Sequence, residues 1–403
     1  MIGLAGIGNN DTRTFNKLGE NIVALCDVDA KILEKRAKDY PKARTYTDFR
    51  KMMEREKLDA VSIAVPDHNH AYIAIYAMKH GLHVYCQKPL TKSIQEARWM
   101  AKVAAETKVI TQMGTASSAE AGNLRMIELI QSGAIGEVKE VHVATDRPIW
   151  PQGFARIEGE DPTPEELNWD SWIGTAPMRK YQSKWPEGHP IYGPEKKKQC
   201  AAGGTLYHPF SWRGWIDFGT GALGDIAPHA LNVVFMALKL GAPSAVEVVE
   251  TSGMTKEMFP EWSVLRFDWA ARGGRPAMSI YWYDGGKQPP AEVSNGRSGM
   301  IWVGTKGSLP SRGEDIARPP QREWGREEVH KDWAVAVKAN RQAPCNFGYA
   351  GPFTEAYLLG NIALRIGHRI EWDAKAFRVT NCREANAYLS REYRKGWDIR
   401  ALL

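Results

Sequence analysis

Asp225 and His229 carry side chains that can hold and move protons, and they stand four residues apart in the stretch Gly-Asp-Ile-Ala-Pro-His. On a helix, this spacing puts two side chains on one face, with about 5–6 Å between their Cβ atoms. An imidazole with a pKa near 6.5 can take a hydroxyl proton at neutral pH. The pair therefore predicts acid–base chemistry. The alternative is that Asp225 merely caps a helix over residues 226–240, with Pro228 in its first turn.

Lys88 stands directly before Pro89, at the end of a strand predicted over 83–86. Ligands bind at this edge of open α/β sheets, and a lysine there stabilises charge that grows on a substrate oxygen as hydride leaves its carbon. A solvated surface lysine is the alternative. His68 and His70 follow another predicted strand, but no carboxylate or cysteine accompanies them at ligand spacing, so the sequence predicts no metal site.

The elements that must position these residues alternate apolar strands with helices over about the first 115 residues. Uniformly apolar strands are buried on both faces, as in a doubly wound parallel sheet between helices. The predicted strands are 22–26, 60–65, 83–86 and 109–113, and the predicted helices are 30–39, 71–80 and 93–108.

A glycine-rich turn opens the chain, where a dinucleotide pyrophosphate would meet a helix N-terminus. The pattern is either Gly3-x-Ala5-x-x-Gly8, which leaves only two residues for a strand, or a turn that starts at Gly6; a plain surface turn is the alternative. Asp27 ends the next strand, where an acid binds the adenosine ribose. Because a carboxylate there repels a 2′-phosphate, the sequence favours NAD over NADP.

The pattern changes after Gly114 to apolar and polar alternation, which predicts an open, mostly antiparallel sheet. The predicted strands are 138–145, 245–251, 263–269, 277–283 and 300–303, and the predicted helices are 123–132, 327–340, 354–366 and 384–395. The sequence thus predicts an α/β chain with two domains, 1–118 and 119–403.

A long stretch rich in proline and glycine, 148–223, separates the first two of these later strands. Loops of this length inside a compact domain are usually functional or disordered, and its tryptophans and tyrosines favour function. His208, Trp212 and Arg213 are the residues in it that we expect to contact substrate hydroxyls.

Composition excludes several other classes of protein. The net charge of +6 is small and spread along the chain, so we expect no nucleic-acid partner. The five cysteines form no CxxC motif, which favours free thiols in a reducing compartment. No apolar stretch approaches the roughly 18 residues of a membrane span. These features predict a cytoplasmic protein; a periplasmic one is the alternative if a secretion signal precedes Met1.

In combination, these motifs resemble the glucose–fructose oxidoreductase and inositol dehydrogenase (Gfo/Idh/MocA) family over nearly the whole chain. The shared features are the glycine-rich start, Ala-Leu-Cys-Asp27, Pro66-x-x-x-His70, Gln87-Lys88-Pro89 and Gly224-Asp225-x-x-x-His229, and the stretch 207–225 is similar to one branch of the family. The family usually has glutamate in place of Gln87. This departure predicts a less acidic environment for the lysine.

The resemblance implies a Rossmann domain followed by an α/β domain that binds substrate and mediates oligomerisation, with a nicotinamide between them and Lys88, Asp225 and His229 as catalytic residues. The residues expected to bind the cofactor are Gly3, Ala5, Gly6, Gly8, Asp27, Pro66, His70, Gln87 and Lys88. It further implies NAD-dependent oxidation of a hydroxyl in a sugar, cyclitol or glycoside.

Two alternatives to this function remain open. One is a redox-neutral hydrolase, lyase or epimerase that keeps its NAD bound, and the other is a nucleotide-binding protein without catalysis. The open sheet would need a cover, which predicts a homodimer or homotetramer.

Overall fold

The computed structural model describes residues 1–200, 202–294, 299–310 and 327–403. Its first part is a parallel sheet in the order β2-β1-Ile2-β3-β4-β5. The strands are β1 (Ala24–Cys26), β2 (Arg44–Tyr46), β3 (Ala60–Ile63), β4 (His83–Gln87) and β5 (Thr111–Gly114). This arrangement confirms the predicted doubly wound parallel sheet.

Ile2 completes the centre of that sheet although it is too short a stretch to count as a strand. It pairs in parallel with Cys26 on one side and Ile63 on the other. The amide of Gly3 donates to the carbonyl of Cys26 at 2.9 Å, and the amide of Ala64 donates to the carbonyl of Ile2 at 2.8 Å. A first strand of this length leads directly into a turn at Gly3.

Helices cover both faces of the parallel sheet: α1 (Ile7–Lys17), α2 (Ala30–Asp39), α3 (Phe49–Arg55), α4 (Asp67–Lys79) and α5 (Ile94–Thr107). Ser93 begins α5 with a capping box, in which its side chain and that of Glu96 each bond the other residue's backbone amide. α4 begins at Asp67, four residues earlier than predicted, since Pro66 is already compatible with the entry to a helix.

The later strands form the second sheet in the order β11-β10-β6-β9-β8-β7-β12-β13. Neighbouring described strands are antiparallel except β6 and β9, which confirms the mostly antiparallel sheet. The strands are β6 (Val138–Ala144), β7 (Ala245–Thr251), β8 (Ser263–Trp269), β9 (Met278–Tyr283), β10 (Met300–Gly304), β11 (Gly307–Pro310), β12 (Ile370–Asp373) and β13 (Arg378–Val379). The helices are α6 (Ala121–Gln131), α7 (Trp169–Ile173), α8 (Gly221–Ala230), α9 (Asn232–Leu238), α10 (Ala291–Ser294), α11 (Glu327–Lys338) and α12 (Phe347–Ile366).

Two predicted helices near the site and the C-terminus were wrong in their bounds. α8 begins at Gly221 after the cap residue Thr220, so Asp225 lies inside the helix and is not its N-cap. Pro228 is likewise internal, and the chain bends by 49° between α8 and α9. The predicted helix 384–395 is only a 3₁₀ turn, Glu384–Tyr388.

Helix α12 joins the two sheets. Gly351 brings it close to α5, where a Cβ at this position would lie 2.9 Å from the carbonyl oxygen of Ala97. Arg98 of α5 donates to both carboxylate oxygens of Glu355 at 2.6 and 2.9 Å. The packing of α12 on α5 fixes the carboxyl ends of β4 and β5 relative to α8, because α8 also packs on α12.

The stretch between β6 and α8 has an aromatic core of its own and also contacts the first sheet. Its amide at Asn168 donates to the carbonyl of Val28 at 2.9 Å, and its carbonyl at Glu166 accepts from the amide of Ala30 at 2.8 Å. The buried rings of this core are Trp169, Trp172, Trp185, Trp212, Trp215, Tyr207 and Phe218. The stretch is therefore an ordered insertion that packs beside the end of β1.

Candidate active site

One cavity of about 730 Å³ runs from the glycine-rich turn to α8. Gly3 and Asp27 line it at one end, and Lys88, Asp225 and His229 line it at the other. Its walls come from the carboxyl edge of the parallel sheet, from α8 and from the insertion. The three residues predicted to act on substrate thus face the same space as the predicted nucleotide turn.

The glycine-rich turn has the geometry of the pattern Gly3-x-Ala5-x-x-Gly8. Gly3 has φ +80°, a backbone conformation that favours glycine. A Cβ on Gly8 would lie 2.0 Å from the carbonyl oxygen of Gly3, so α1 can approach the sheet only with glycine there. Gly6, with φ +49°, then precedes the first residue of α1. Gly6, Ile7 and Asn10 of this helix start line the cavity.

Asp27 lies at the end of β1 with both carboxylate oxygens held by the backbone. Oδ2 accepts from the amide of Leu4 at 2.7 Å, and Oδ1 accepts from the amide of Asp29 at 3.0 Å. Burial raises the pKa of Asp27 to about 6, although these amide hydrogen bonds oppose the shift. The carboxylate therefore couples the glycine-rich turn to the entry of α2.

Asp225 is held between two cations. The ammonium of Lys88 lies 2.9 Å from Oδ1 and donates to the Asp225 carbonyl at 2.9 Å. The Nε of Arg213 donates to the same carboxylate oxygen at 3.2 Å. Burial by itself would raise the pKa of Asp225, but the two positive charges outweigh it and hold the pKa at about 2. Asp225 is therefore ionised throughout the neutral range.

His229 follows on the same face of α8, as the four-residue spacing predicts, and a threonine positions it. Its Nδ1 lies 3.3 Å from Oγ1 of Thr115, which donates to the carbonyl of Pro228 at 3.0 Å. A hydroxyl that donates to a carbonyl presents lone pairs elsewhere, so it accepts from Nδ1. The imidazole then carries its proton on Nδ1, and the basic nitrogen is Nε2.

His70 does not line the cavity, contrary to its predicted place among the cofactor-binding residues. Its ring nitrogens lie 2.7 Å from the carbonyl of Pro89 and 2.8 Å from that of Val65. Burial is the largest influence on its pKa, which falls to about 4, so the ring is neutral and only one of its two nitrogens donates to a carbonyl. His70 thus joins the two loops behind Lys88 and acts on the site through their position.

Gln87 lines the cavity, and its side chain bonds a carboxyl group of α1. Its Nε2 donates to both oxygens of Asp11, at 3.0 and 2.8 Å, and Nε2 of His330 lies 2.9 Å from one of them. Asp11 is fully buried. A glutamate at 87 would place a second carboxyl group against Asp11 of α1; the less acidic environment of Lys88 stays a prediction.

The insertion supplies the aromatic wall near Asp225. The guanidinium of Arg213 lies 4.4 Å from the ring centre of Trp212 and 4.5 Å from that of Phe210, and Trp150 also lines the cavity. His208 lies elsewhere: its Nε2 is 3.4 Å from Oδ2 of Asp29, at the end of β1. Of the three predicted substrate contacts, Arg213 and Trp212 are close to Asp225, and His208 is beside the nucleotide end.

Asp67 is a buried acid in this cavity to which the sequence analysis assigned no role. It stands in the motif Pro66-x-x-x-His70 at the carboxyl edge of the sheet, and that position was the available signal. Its Oδ2 accepts from Oγ1 of Thr220 at 2.7 Å. Thr115 was missed as well, because no local pattern connects it with His229.

Within the described ranges, no three or more histidine, cysteine, aspartate or glutamate side chains are grouped so as to hold a metal ion. In the same part of the chain, no single helix has the length and apolar character to cross a membrane, and the bent pair α8–α9 meets that test by length and composition alone.

Some known proteins are similar to this chain over part of its length. An inositol 2-dehydrogenase of Saccharopolyspora erythraea is 28% identical over 160 residues, which are 38% of this chain and 47% of that protein. A glycosyl hydrolase family 109 protein of Bacteroides thetaiotaomicron is 30% identical over 147 residues, 33% of this chain and 31% of that protein. The chain therefore spans less than half of the length of either relative.

Two solved structures share the fold over most of the chain. The WlbA dehydrogenase of Bordetella pertussis, in complex with NADH and UDP-GlcNAcA, superposes with a TM-score of 0.63 at 17% identity, covering 92% of this chain and 97% of that one. GenD2 from gentamicin A biosynthesis, in complex with NAD, superposes with a TM-score of 0.62 at 18% identity, covering 93% of this chain and 95% of that one.

Sequence models of one family match both parts of the chain. Residues 1–115 match the NAD-binding Rossmann fold of an oxidoreductase family, and residues 192–399 match the C-terminal alpha/beta domain of that family. The chain therefore belongs to the Gfo/Idh/MocA family of oxidoreductases.

Proposed function

We propose that this protein transfers hydride between a carbon bearing a hydroxyl group, in a sugar, cyclitol or glycoside, and the nicotinamide of NAD. The observation that carries the proposal is the convergence of Lys88, Asp225 and His229 on the cavity that the glycine-rich turn also lines. A family member without catalysis would need none of the three side chains in this arrangement.

The proton chemistry follows from the protonation states in the site. Nε2 of His229 takes the hydroxyl proton as the substrate is oxidised. The ammonium of Lys88 donates to the same oxygen and stabilises its growing negative charge. Asp225 remains ionised beside two cations, so it orients Lys88 and stabilises the imidazolium but does not carry the proton.

The residues at the other end fit a dinucleotide. Glycine at positions 3 and 8 lets the turn and the start of α1 pack against the sheet, since a Cβ at either position would lie 2.4 or 2.0 Å from a backbone oxygen. A helix N-terminus at this place favours an anion such as a pyrophosphate. Asp27 lines the cavity directly after β1, the position at which an acid of this fold binds the adenosine ribose, and this supports NAD over NADP. When bound, the nicotinamide accepts the hydride at C4.

The aromatic wall supports a ring-shaped, CH-rich substrate. The rings of Trp150, Phe210 and Trp212 surround the guanidinium of Arg213, which lines the cavity beside the carboxylate that it contacts. Aromatic faces bind the C–H surface of sugars while a fixed guanidinium donates to their hydroxyl groups. This combination favours a polyhydroxylated ring.

The test is NADH formation, followed at 340 nm, on a panel of sugars, cyclitols and glycosides. We expect His229→Gln and Lys88→Met to lower kcat by about 10²–10⁴-fold. The control His368→Gln changes an exposed histidine whose ring contacts the backbone carbonyl of Arg369, so kcat should be unchanged. Full turnover in the first two variants would refute the assigned roles.

A second candidate is redox-neutral chemistry on a cofactor that stays bound. Near Asp27, the cavity wall includes Trp172 of the insertion and Trp397 near the C-terminus. Hydrogen bonds and an ion pair connect these two segments. Arg394 donates to the carbonyls of Gly174 and Asp170 at 2.9 and 2.8 Å and forms an ion pair with the Asp170 carboxylate. Trp397 packs on Phe49 and lines the same end of the cavity. We infer that this contact, beside the end of the cavity that Trp397 lines, slows the release of a dinucleotide.

Retention of the cofactor separates the two candidates. NAD that survives dialysis, together with conversion of a glycoside and no net NADH, would select the redox-neutral cycle. Rapid exchange with stoichiometric NADH would select the simple dehydrogenase.

We also infer that the second sheet mediates self-association. α12 packs on the sheet at β7, and Val249 of the same strand is 53% exposed. Light scattering in solution tests this: a homodimer or homotetramer is expected, and a monomer at micromolar concentration would refute it.

A further inference from the structure

Asp67 is the most deeply buried acid of the cavity wall and has one oxygen without a hydrogen-bond partner. The residue is 1% exposed and is the first residue of α4. Oδ2 accepts from the Thr220 hydroxyl, whereas no described group bonds to Oδ1. A buried polar atom left without a partner is unfavourable, so Oδ1 is suited to carry a proton or to meet a bound molecule.

The neighbouring side chain of Thr220 is directed to Asp67 by a glycine. A Cβ on Gly224 would lie 2.2 Å from Cβ of Thr220, so only glycine at that position leaves room for the threonine. Thr220 is the cap residue of α8, but its side chain makes no cap hydrogen bond. The Thr220 hydroxyl therefore donates to Asp67 and does not cap the start of α8.

The charges that face Asp67 come from three elements. Asp225 raises its pKa, whereas Arg213 and Lys88 lower it; the thiol of Cys86 and the phenol of Tyr357 lie behind it. Burial is the largest influence, and it raises the pKa of Asp67 to about 7. With Asp67 ionised, the two acids and two cations sum to zero, and with Asp67 protonated they sum to +1.

We propose that Asp67 binds a proton whose occupancy is linked to the oxidation state of the nicotinamide in this cavity. The inference rests on the proposed function. An oxidised ring is positively charged and is repelled by a cluster with charge +1, so NAD⁺ favours ionised Asp67. The reduced ring is neutral and leaves the proton in place.

The cycle balances in atoms and charge. On NAD⁺ binding, the O–H bond of the Asp67 carboxyl breaks and the proton leaves to solvent. On hydride transfer, the ring loses its charge and the carboxylate takes one proton back. The alcohol proton removed by His229 is then the proton that the overall oxidation releases.

The test is calorimetric titration of the full chain with NAD⁺ and with NADH, each in two buffers of different ionisation enthalpy, which counts released protons. Since a pKa of about 7 leaves Asp67 half protonated at pH 7, NAD⁺ should release about 0.5 proton more than NADH. The excess of protons released with NAD⁺ over NADH should approach about one per chain at pH 6 and vanish near pH 9. Asp67→Asn should abolish it at every pH.

Asp284→Asn is the matched control. Asp284 is a buried acid of the second sheet, outside the cavity, whose pKa burial also raises to about 7. It accepts from the Ser263 hydroxyl at 3.0 Å and from the Trp282 ring N–H at 2.8 Å. This variant should keep the excess proton release.

Equal proton release with NAD⁺ and NADH in the unmodified protein would overturn the proposal without any variant. Unchanged excess release in Asp67→Asn would assign the proton to His229 and would overturn it too. Thr220→Val provides an independent check, because loss of the donor should move the midpoint of release to higher pH. Absence of binding by either nucleotide would overturn the proposed cofactor, and with it this inference.

Discussion

The ion pair of Lys88 and Asp225 should stabilise the fold strongly, and by an amount that depends on pH. Both side chains are nearly buried, at 15% and 9% exposed, and burial alone would raise the pKa of the acid. The cations instead lower it from 3.8 to about 2. At 1.36 kcal/mol per unit, this shift corresponds to about 2.5 kcal/mol of stability at neutral pH. The contribution is complete above pH 3.8, the unfolded value, and is lost as pH falls through 2.

The substitution Lys88→Met removes the charge and keeps most of the side-chain volume. One cation, Arg213, remains on the carboxylate, so the cost should lie at the lower end of the roughly 3–5 kcal/mol for a broken buried pair. We expect a loss of about 3 kcal/mol in the free energy of unfolding at pH 7. The loss should be about 1 kcal/mol smaller at pH 4, because Asp225 of the variant is then largely protonated.

Urea unfolding at the two pH values measures this difference, provided that the m-value is unchanged. Lys338→Met is the control: this lysine is 64% exposed and pairs with Glu20 at the surface, where an ion pair contributes at most about 1 kcal/mol. Equal losses in the two variants, or a Lys88→Met loss that does not change between pH 7 and pH 4, would refute the reasoning.

Three further predictions concern the nucleotide end of the cavity and Asp11, the buried acid that Gln87 contacts. Gly8→Ala should weaken NAD binding more than tenfold, since its Cβ would lie 2.0 Å from a backbone oxygen, whereas Gly122→Ala, in open space, should leave the Kd unchanged. Arg394→Met should raise the NAD dissociation rate about tenfold, measured by displacement, while Arg400→Met, which loses only a local pair with its neighbour in the tail, should not. Gln87→Glu should lower the free energy of unfolding by about 2 kcal/mol at pH 7, because two carboxylates then meet in a buried place; a loss that is as large at pH 4 as at pH 7 would contradict this reason.

The parallel sheet was predictable because each of its strands carries its own signal. Runs such as 22–26 are apolar throughout, and burial on both faces explains such a run. Ile2 had no such signal: a single residue completes the centre of the sheet, and its position follows from its neighbours Cys26 and Ile63. The choice between the two versions of the glycine pattern therefore required the structure.

The bounds of α8 show how tertiary contacts override local chemistry. An acid followed by Pro228 is a regular way to begin a helix, and this local pattern placed the N-terminus at Asp225. In the structure, the acid lies in the cavity between Lys88, which follows β4, and Arg213 of the insertion, and the helix begins five residues earlier than predicted, at Gly221. No local pattern records a partner more than a hundred residues away.

The roles of His70 and His208 were beyond sequence reasoning for a related reason. Both lie at the expected edge of the sheet, which their positions after predicted strands or in the insertion indicated. What an imidazole does depends on the groups it meets. Two carbonyls make His70 a structural link, and the carboxylate of Asp29 holds His208 at the nucleotide end.

The two acids of the site show how one environment can divide the work of two carboxyl groups. Both are buried, and burial acts on both in the same direction. Asp225 touches two cations and has a pKa of about 2, whereas Asp67 touches one hydroxyl and has a pKa of about 7. A group with the first value cannot exchange a proton during turnover at neutral pH, so Asp225 can serve only as a fixed charge. The proposed proton movement at the Lys88 end of the cavity therefore involves His229 and Asp67, and the count of protons released with each form of the nucleotide tests the assignment of both.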